Sequence, residues 1–322
     1  MNKDVVVSVV IPVLNEEKYI EKCIESLSNQ TYPISKMEWI IVDGNSKDLT
    51  CDIISKYSND YPIKLLKNMT SKTPTSLNIG IKESAGIYII RMDAHAAYPP
   101  DYIEKCVYYL ENTDAINVGG FVDTKAEGFV GNAISQILSS KFGVGGSSFR
   151  VDAEEGYVDT VPFGAFRKSI FDEIGYFNEK LLRSEDNDIN ARIRDSGGKI
   201  LLKKDIRSTY YCRDTVAGLL RMALQNGNAL FWTVRENKNA MSIRHFVPLL
   251  FVLSLLVLSG LYWILPMRIV LFTEIILYML LDLYFCLRDN LKYSIIKIWL
   301  YPAFHICYGI GSILGLLLIK LY

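Results

Sequence analysis

The chain has no charge imbalance and no paired cysteines, and no cleavable leader is expected. Its 35 basic and 35 acidic residues cancel, so no net field draws it toward a polyanion. No basic stretch is interleaved with aromatics in a pattern suited to base stacking. Nucleic acid is therefore not an expected partner. The six cysteines, Cys23, Cys51, Cys106, Cys212, Cys286 and Cys307, are scattered with no C-x-x-C pair. That spacing excludes a disulfide framework and a zinc site, and points to reduced, buried thiols in a cytosolic compartment. At the N-terminus the apolar run from Val5 to Leu14 is short, lacks a small-residue cleavage site and is broken by Pro12. It reads as a strand, not a signal peptide, so the soluble part is expected in the cytoplasm.

What the chain does have is apolar residues, 50% of its 322 positions, unevenly placed. Residues 1–245 have the mixed character of a soluble domain, whereas Leu, Ile, Val, Tyr and Phe dominate from Phe246 onward. About 20 residues at ~1.5 Å rise cover a ~30 Å hydrocarbon core, and three spans are expected, at 246–266, 269–287 and 295–319. The domain boundary accordingly falls between a 1–235 domain and a 236–322 membrane domain. Positive charges at Arg235, Lys238 and Arg244, and at Arg288, Lys292 and Lys297, place both clusters in the cytoplasm. The turn at 266–268 and the C-terminus then lie outside, as expected for a multi-pass protein of the cell membrane. Glu274 and Asp282 sit near one face of the second span, with a bundle-interior and an interfacial reading both open. Gly311 and Gly315 form a small-xxx-small face that suits either packing within the chain or a homo-oligomer.

The first 100 residues alternate between strand and helix signals. Val5–Ile11, Trp39–Val42, Ile63–Leu66 and Ile87–Met92 are short β-branched runs, as strands buried on both faces require. Between them, Glu17–Asn29 puts Ile20, Cys23, Ile24 and Leu27 on one helical face, Asp48–Tyr57 is a second helix, and Thr73-Pro74 opens a third. This pattern predicts an α/β fold with a mostly parallel sheet and right-handed crossovers. Ligands bind such sheets at the carboxyl ends of the strands, here Pro12–Glu16, Asp43 and Asp93.

Several motifs occur in order. They are Val9 to Glu16 (VVIPVLNE), Val42-Asp43-Gly44-Asn45-Ser46, Asn78-x-Gly80, Met92-Asp93-Ala94-His95, Phe163 to Arg167 (FGAFR), Gly175 to Glu179 (GYFNE) and Ser184 to Asn190 (SEDNDIN). Together the series resembles the family 2 glycosyltransferases of GT-A fold, over roughly residues 6–215. The Asp-Ala-His variant, Tyr98-Pro99-Pro100-Asp101-Tyr102 and Phe142 to Gly146 look most like the succinoglycan-type bacterial exopolysaccharide glucosyltransferases.

The resemblance implies a nucleotide-sugar donor, with UDP-glucose favoured, and a lipid-linked or polysaccharide acceptor. It makes Pro12, Val13, Asn15, Glu16, Asp43, Asn78 and Asp93 nucleotide-sugar-binding residues. Asp93-Ala94-His95 occupies the Asp-x-Asp position, where a divalent cation would neutralise charge on the departing diphosphate. His95 departs from the motif. Imidazole suits Mn²⁺ better than Mg²⁺, so Asp93 and His95 form the expected metal site, with Mn²⁺ favoured. Asp186, at a helix start where the dipole favours its anion, is the implied catalytic base, with Glu185 and Asp188 as second choices. The mechanism is then a single inverting displacement. Gly143–Arg150 reads as an acceptor-side lid or a mobile linker, and Arg221–Arg235 as an amphipathic helix able to lie on the bilayer. The Gln-x-x-Arg-Trp signature of processive synthases is absent, which favours one sugar per encounter. A nucleotidyltransferase lacks support because no Gly-rich, basic loop follows the first strand. A catalytically inactive membrane scaffold is the other alternative, and three spans with few polar midplane groups do not support a transporter. Because the alternation is complete before the tail, residues 1–240 are expected to fold alone.

Overall fold

The structure, a computed structural model, describes residues 5–151, 154–288 and 290–321. Residues 1–4, 152–153, 289 and 322, which fall within the two expected domains, lie outside the described residues. The chain begins as expected, with β1 (Val7–Val13), α1 (Ile20–Ser28), β2 (Met37–Asp43), α2 (Thr50–Tyr57), β3 (Ile63–Lys67), α3 (Thr73–Glu83) and β4 (Tyr88–Arg91). There follow β5 (Ala96–Ala97), α4 (Tyr102–Asn112), β6 (Ala115–Lys125), α5 (Gly128–Leu138), α6 (Lys141–Val144), β7 (Gly156–Tyr157), β8 (Ala165–Arg167), α7 (Ser169–Ile174), α8 (Glu185–Asp195) and β9 (Lys199–Tyr211).

Among the described residues the strands form one sheet in the order β3-β2-β1-β4-β8-β6-β9-β5, with β7 on β9. The β3-β2-β1-β4 half is parallel. Val9, Val10, Ile11, Ile40, Ile41 and Ile90 are fully buried in it, which is why these strands are continuous apolar runs and not alternating ones. The register sets Val13 level with Asp43 and Val10 level with Arg91, so the carboxyl ends of β1, β2 and β4 open side by side. Beyond β4 the sheet changes character. β8 pairs antiparallel with β4 and β6, and β5 and β7 pair antiparallel with β9. The sheet is therefore mixed, not mostly parallel. Short strands such as Ala165–Arg167 leave too few residues for a periodic signal.

By packing, the described residues fall into two units, 5–123 with 154–210 and 124–151 with 211–321. The division is not at residue 235. α9 (Val216–Glu236) packs chiefly on α12 (Ser294–Leu316), and Leu219, Ala223 and Leu230 are fully buried. Part of the apolar side expected to meet the bilayer is thus covered by protein, while Leu220, Phe231 and Trp232 are half-buried. The expected first span also differs: α10 (Val247–Gly260) has 14 residues, or ~21 Å, short of a ~30 Å core. The chain leaves the helix at 261–264 and re-enters at α11 (Leu265–Arg288). Pro266 lies in the first turn of α11, where a missing N–H costs nothing, so it opens a helix and does not make the expected 266–268 turn. Two helical segments, Leu265–Arg288 and Leu291–Leu316, are long and apolar enough to cross a membrane.

The two open readings of the tail resolve within this unit. Asp282 is fully buried and accepts from Cys286 Sγ at 3.3 Å, while Glu274 accepts from Ser254 Oγ. Gly311 and Gly315 face the backbone of α9, so their close packing is within the chain. Gly143–Arg150 belongs to the same unit. There Arg244 Nη1 donates to the Gly146 carbonyl at 3.2 Å, and Arg150 Nη1 to Thr124 Oγ1 at 3.2 Å. All six cysteines are free thiols, and burial pushes Cys23 up to about 12.

Candidate active site

The exit loops of β1 and β2 are laced together. Asn15 adopts a left-handed backbone (φ 55°); its N–H donates to Ser46 Oγ at 2.9 Å and its Oδ1 accepts from Lys47 N–H at 2.8 Å. Glu16 N–H donates to Thr50 Oγ1 at 2.7 Å. Asp43 is buried, and its Oδ1 accepts from Ser46 N–H at 3.0 Å. One carboxylate oxygen thus holds the Gly44-Asn45 turn. This lacing fixes the part of the cleft lined by Pro12, Val13, Leu14, Glu16 and Gly44, to which Ser71, Thr73 and Ser76 add, with Ser71 Oγ donating to the Gly44 carbonyl at 2.7 Å.

The floor is charged. Arg91, the last residue of β4, is almost fully buried and bridges three carboxylates. Its Nε lies 3.3 Å from Asp93 Oδ1, its Nη2 lies 3.2 Å from Glu185 Oε1, and its Nη1 donates to Asp186 Oδ1. Burial opposes charge on the guanidinium, but Asp186, Asp93 and Glu185 outweigh it and raise its pKa. Asp186 is pushed up to about 7, by burial first; Arg91 pulls it down, while Glu185 and Asp93 add to the rise. About a third of the Asp186 side chain (34%) stays open, enough for a hydroxyl to approach. Ser184, left-handed at φ 63°, turns the chain into α8 so that Glu185, Asp186 and Asp188 occupy its first turn.

On the far side of Asp93, the backbone N–H donates to Tyr98 Oη at 2.8 Å. His95 Nδ1 lies 2.9 Å from Glu16 Oε1, and its ring meets Tyr210 edge-on. A carboxylate holding one imidazole nitrogen fixes the ring orientation, as partners of metal-bound histidines do. Among the described residues no group of three or more His, Cys, Asp or Glu side chains is gathered into a metal cage. A divalent ion here would need donor phosphate oxygens to complete its shell, as is common for Mg²⁺ and Mn²⁺ at phosphate sites. Asp93 and His95 both line the cleft and offer an oxygen–nitrogen pair compatible with Mn²⁺.

Of the sequence-expected residues, the structure gathers Pro12, Val13, Glu16, Asp93, His95 and Glu185 on one cleft, with Asp186 joined to it through Arg91. Asn15 and Asp43 shape the loops behind the wall. Asn78 is elsewhere: its amide donates to the Phe177 carbonyl and to Glu179 Oε1, and accepts from Phe177 N–H, each at 2.9 Å. Asp188 is taken up by Arg192, whose Nη2 lies 2.9 Å away and which also holds the carbonyls of Ile174, Gly175 and Tyr176. Arg91, which lines the cleft, is the residue that sequence reasoning missed. The signal was present, since a charged residue inside the apolar run Ile89–Met92 needs buried partners.

A family model described as glycosyl transferase family 2 matches residues 8–175. The chain belongs to that family. A dolichyl N-acetyl-α-D-glucosaminyl phosphate 3-β-D-2,3-diacetamido-2,3-dideoxy-β-D-glucuronosyltransferase of Methanococcus voltae is 30% identical over 266 residues, covering 79% of the chain and 82% of that relative. The succinoglycan biosynthesis protein ExoA of Rhizobium meliloti is 27% identical over 244 residues, covering 75% and 74%. Among solved structures, the mannosyltransferase PcManGT of Pyrobaculum calidifontis, in complex with GDP-Man and Mn²⁺, aligns with a TM-score of 0.66 at 17% identity over 95% of the chain and 86% of its own. S. aureus TarS 1–349 with UDP-GlcNAc aligns with a TM-score of 0.55 at 15% identity, over 96% and 91%. These likenesses establish a GT-A fold for this family 2 glycosyltransferase.

Proposed function

We propose that this glycosyltransferase moves one sugar, with inversion, from a UDP-sugar onto a lipid-linked or polysaccharide acceptor in the assembly of cell-surface polysaccharide. Glucose is the favoured donor sugar. The observation that carries the reading is the meeting of Asp93, Glu185 and Asp186 on one guanidinium, at the carboxyl end of β4. The carboxylate that would receive a proton and the one that would face the leaving diphosphate are thereby held in a common frame. The names of the relatives supply the acceptor classes, a dolichyl-phosphate-linked sugar in one case and succinoglycan assembly in the other.

In this reading the walls from Pro12 to Glu16 and from Ser71 to Ser76 hold the nucleotide. A divalent ion on Asp93 and His95, Mn²⁺ favoured, would supply neutralising charge to the diphosphate. Asp186 accepts the proton of the acceptor hydroxyl as its oxygen bonds to the anomeric carbon, and the bond to the diphosphate oxygen breaks on the opposite side. Arg91 holds Asp186 toward that hydroxyl and keeps the carboxylates from repelling one another. The apolar helices attach the chain to the cytoplasmic face of a membrane, where a polyprenyl-linked acceptor is concentrated.

The test is transfer by full-length protein in detergent from UDP-glucose, other UDP-sugars, GDP-mannose and dTDP-sugars, with Mn²⁺ or Mg²⁺. Turnover of a UDP-sugar with Mn²⁺ above Mg²⁺ is expected. Binding of donors without turnover on any acceptor would favour the inactive scaffold, and preference for a GDP- or dTDP-sugar would overturn the donor assignment.

A further inference from the structure

α9 and α12 approach each other backbone to backbone. A Cβ at Gly311 would overlap the Leu224 carbonyl, one at Gly315 the Asn228 carbonyl, and one at Gly227 the Tyr308 carbonyl. The 224/311 and 228/315 pairs advance together, so the two helices run parallel. The chain at and beyond the end of α12 is tied to α9 as well. Asn228 Nδ2 donates to the Ile319 carbonyl at 2.7 Å, and its Oδ1 accepts from Leu321 N–H at 3.3 Å. Arg235 Nη2 donates to the Leu316 carbonyl at 3.2 Å. Arg235 and Lys320 both lie on the Trp232 ring, at 5.0 and 4.6 Å from its centre.

α9 is a poor spanning helix. It carries Arg221, Gln225, Asn226 and Arg235 along its length, and charged and polar side chains within a spanning helix are costly. A helix whose 308–315 stretch lies in backbone contact with α9, and whose last turn is bonded to Arg235, does not cross without it. Arg235 and Leu316 cannot lie on opposite sides of a ~30 Å core while sharing a hydrogen bond. Part of the apolar composition of α12 is met inside the protein, by α9 and by α10, where Gly309 abuts Val252, while Ile295, Trp299, Ile306 and Ile310 stay exposed.

α10 and α11 behave differently. They pair as an antiparallel hairpin, with Phe251 stacked on Tyr278 at 4.6 Å and Ser254 bonded to Glu274. Leu256, Val257, Phe272, Ile276 and Leu280 are exposed along its sides. At its tip Trp263 is exposed and Arg268 lies over Tyr262 at 5.6 Å, the aromatic and cationic composition of a headgroup layer. Side chains this apolar, capped this way, fit lipid.

We propose that α10 and α11 enter the bilayer as a hairpin while α12 stays on the membrane face that carries α9, so that the C-terminus lies on the same side as Arg235. This reverses the outside C-terminus expected from three spans, and it rests on the membrane attachment proposed above. The hairpin returns the chain to its starting side, so the segment joining α11 to α12 lies there too. The test uses the full chain with an N-terminal and a C-terminal epitope tag, plus a K292C variant, in sealed vesicles of both orientations. Tag proteolysis and an impermeant maleimide report sidedness, with the unsubstituted chain giving the background from native cysteines. Both tags and Cys-substituted position 292 should react in the same vesicle orientation. A C-terminal tag alone reacting in the opposite orientation would mean that α12 crosses. Position 292 alone on the opposite side would mean that α11 and α12 cross as the pair, and both on the opposite side would mean that the hairpin crosses once and does not return. Each of these results overturns the proposal. Full-length protein recovered wholly in the soluble fraction would overturn membrane attachment with it, whereas vesicle-bound protein of the wrong sidedness leaves attachment and transfer standing.

Discussion

Arg91 and Asp186, 95 positions apart in the chain, meet as an ion pair at the end of the sheet where the donor diphosphate is proposed to lie. The pairing fixes a carboxylate on the first turn of α8 against a strand that ends one residue before Met92-Asp93. If Asp186 is the base, D186N should lower kcat by about 10²–10⁴ while UDP-sugar affinity stays within a few-fold, because Asp186 lies off the cleft lining. Titration calorimetry beside turnover measurements separates the two effects. Near-wild-type turnover would move the role to Glu185, which also touches Arg91.

The acid side of the pH–rate profile follows from the same cluster. Asp186 is pushed up to about 7, and a base works only when deprotonated. Turnover should therefore rise with pH through about 7 and level off above it. A profile flat from about pH 5.5 to 8.5 would show that no group of this kind limits the reaction.

Arg91 itself should matter for both folding and rate. Removing one partner of a buried ion pair costs about 3–5 kcal/mol, and because Asp186 is partly open to water the lower end applies to R91M. R91K keeps the charge but loses the planar fork that spans three carboxylates. Its rising limb should move to higher pH, since an ammonium that cannot hold all three carboxylates opposes protonation of Asp186 less closely. An unmoved limb with lower stability would leave Arg91 a purely structural role.

The parallel half of the fold was legible because Val9, Ile40 and Ile90 sit on strands buried on both faces, and such strands leave continuous apolar runs. Strand ends then located Asp43 and Asp93 with no need of tertiary information. Asn78 has partners that the sequence does not reveal, for a physical reason. Its amide serves the Phe177 backbone 99 positions away, and nothing local distinguishes that from a ligand contact. The charge at Arg91 was visible, but its partners lie on another element. In the tail, hydropathy records what a helix is made of and not what covers it. α12 is as apolar as a span, yet glycine contacts to α9 bury much of it.

The Glu16–His95 pair, 2.9 Å apart, gives a test of the metal assignment that does not depend on turnover. Loss of a carboxylate that orients a metal-bound histidine typically weakens metal affinity by about 10–100-fold. E16Q should therefore bind Mn²⁺ about that much more weakly in the presence of UDP, read from the free-ion paramagnetic resonance signal. H95A should show at least the same loss. If both variants bind Mn²⁺ as the parent does, His95 has no part in holding the ion.

Truncation after residue 240 tests the packing of the second unit. The strand and helix alternation ends well before that point, which on sequence grounds makes residues 1–240 a self-sufficient piece. The structure gives a different expectation. α9 buries Leu219, Ala223 and Leu230, chiefly against α12, and Tyr301 Oη of α12 donates to Ser140 Oγ at 2.8 Å, pinning the turn into α6. Uncovering a buried large apolar side chain costs about 1.5–3 kcal/mol, so loss of α12 removes several such contributions at once and leaves an apolar stripe in water. Fragment 1–240 should unfold at a lower temperature than the full chain in the same detergent, and should aggregate when the detergent is diluted. A fragment that stays monodisperse without detergent and unfolds at the temperature of the full chain would mean that α9 closes its apolar face without α12.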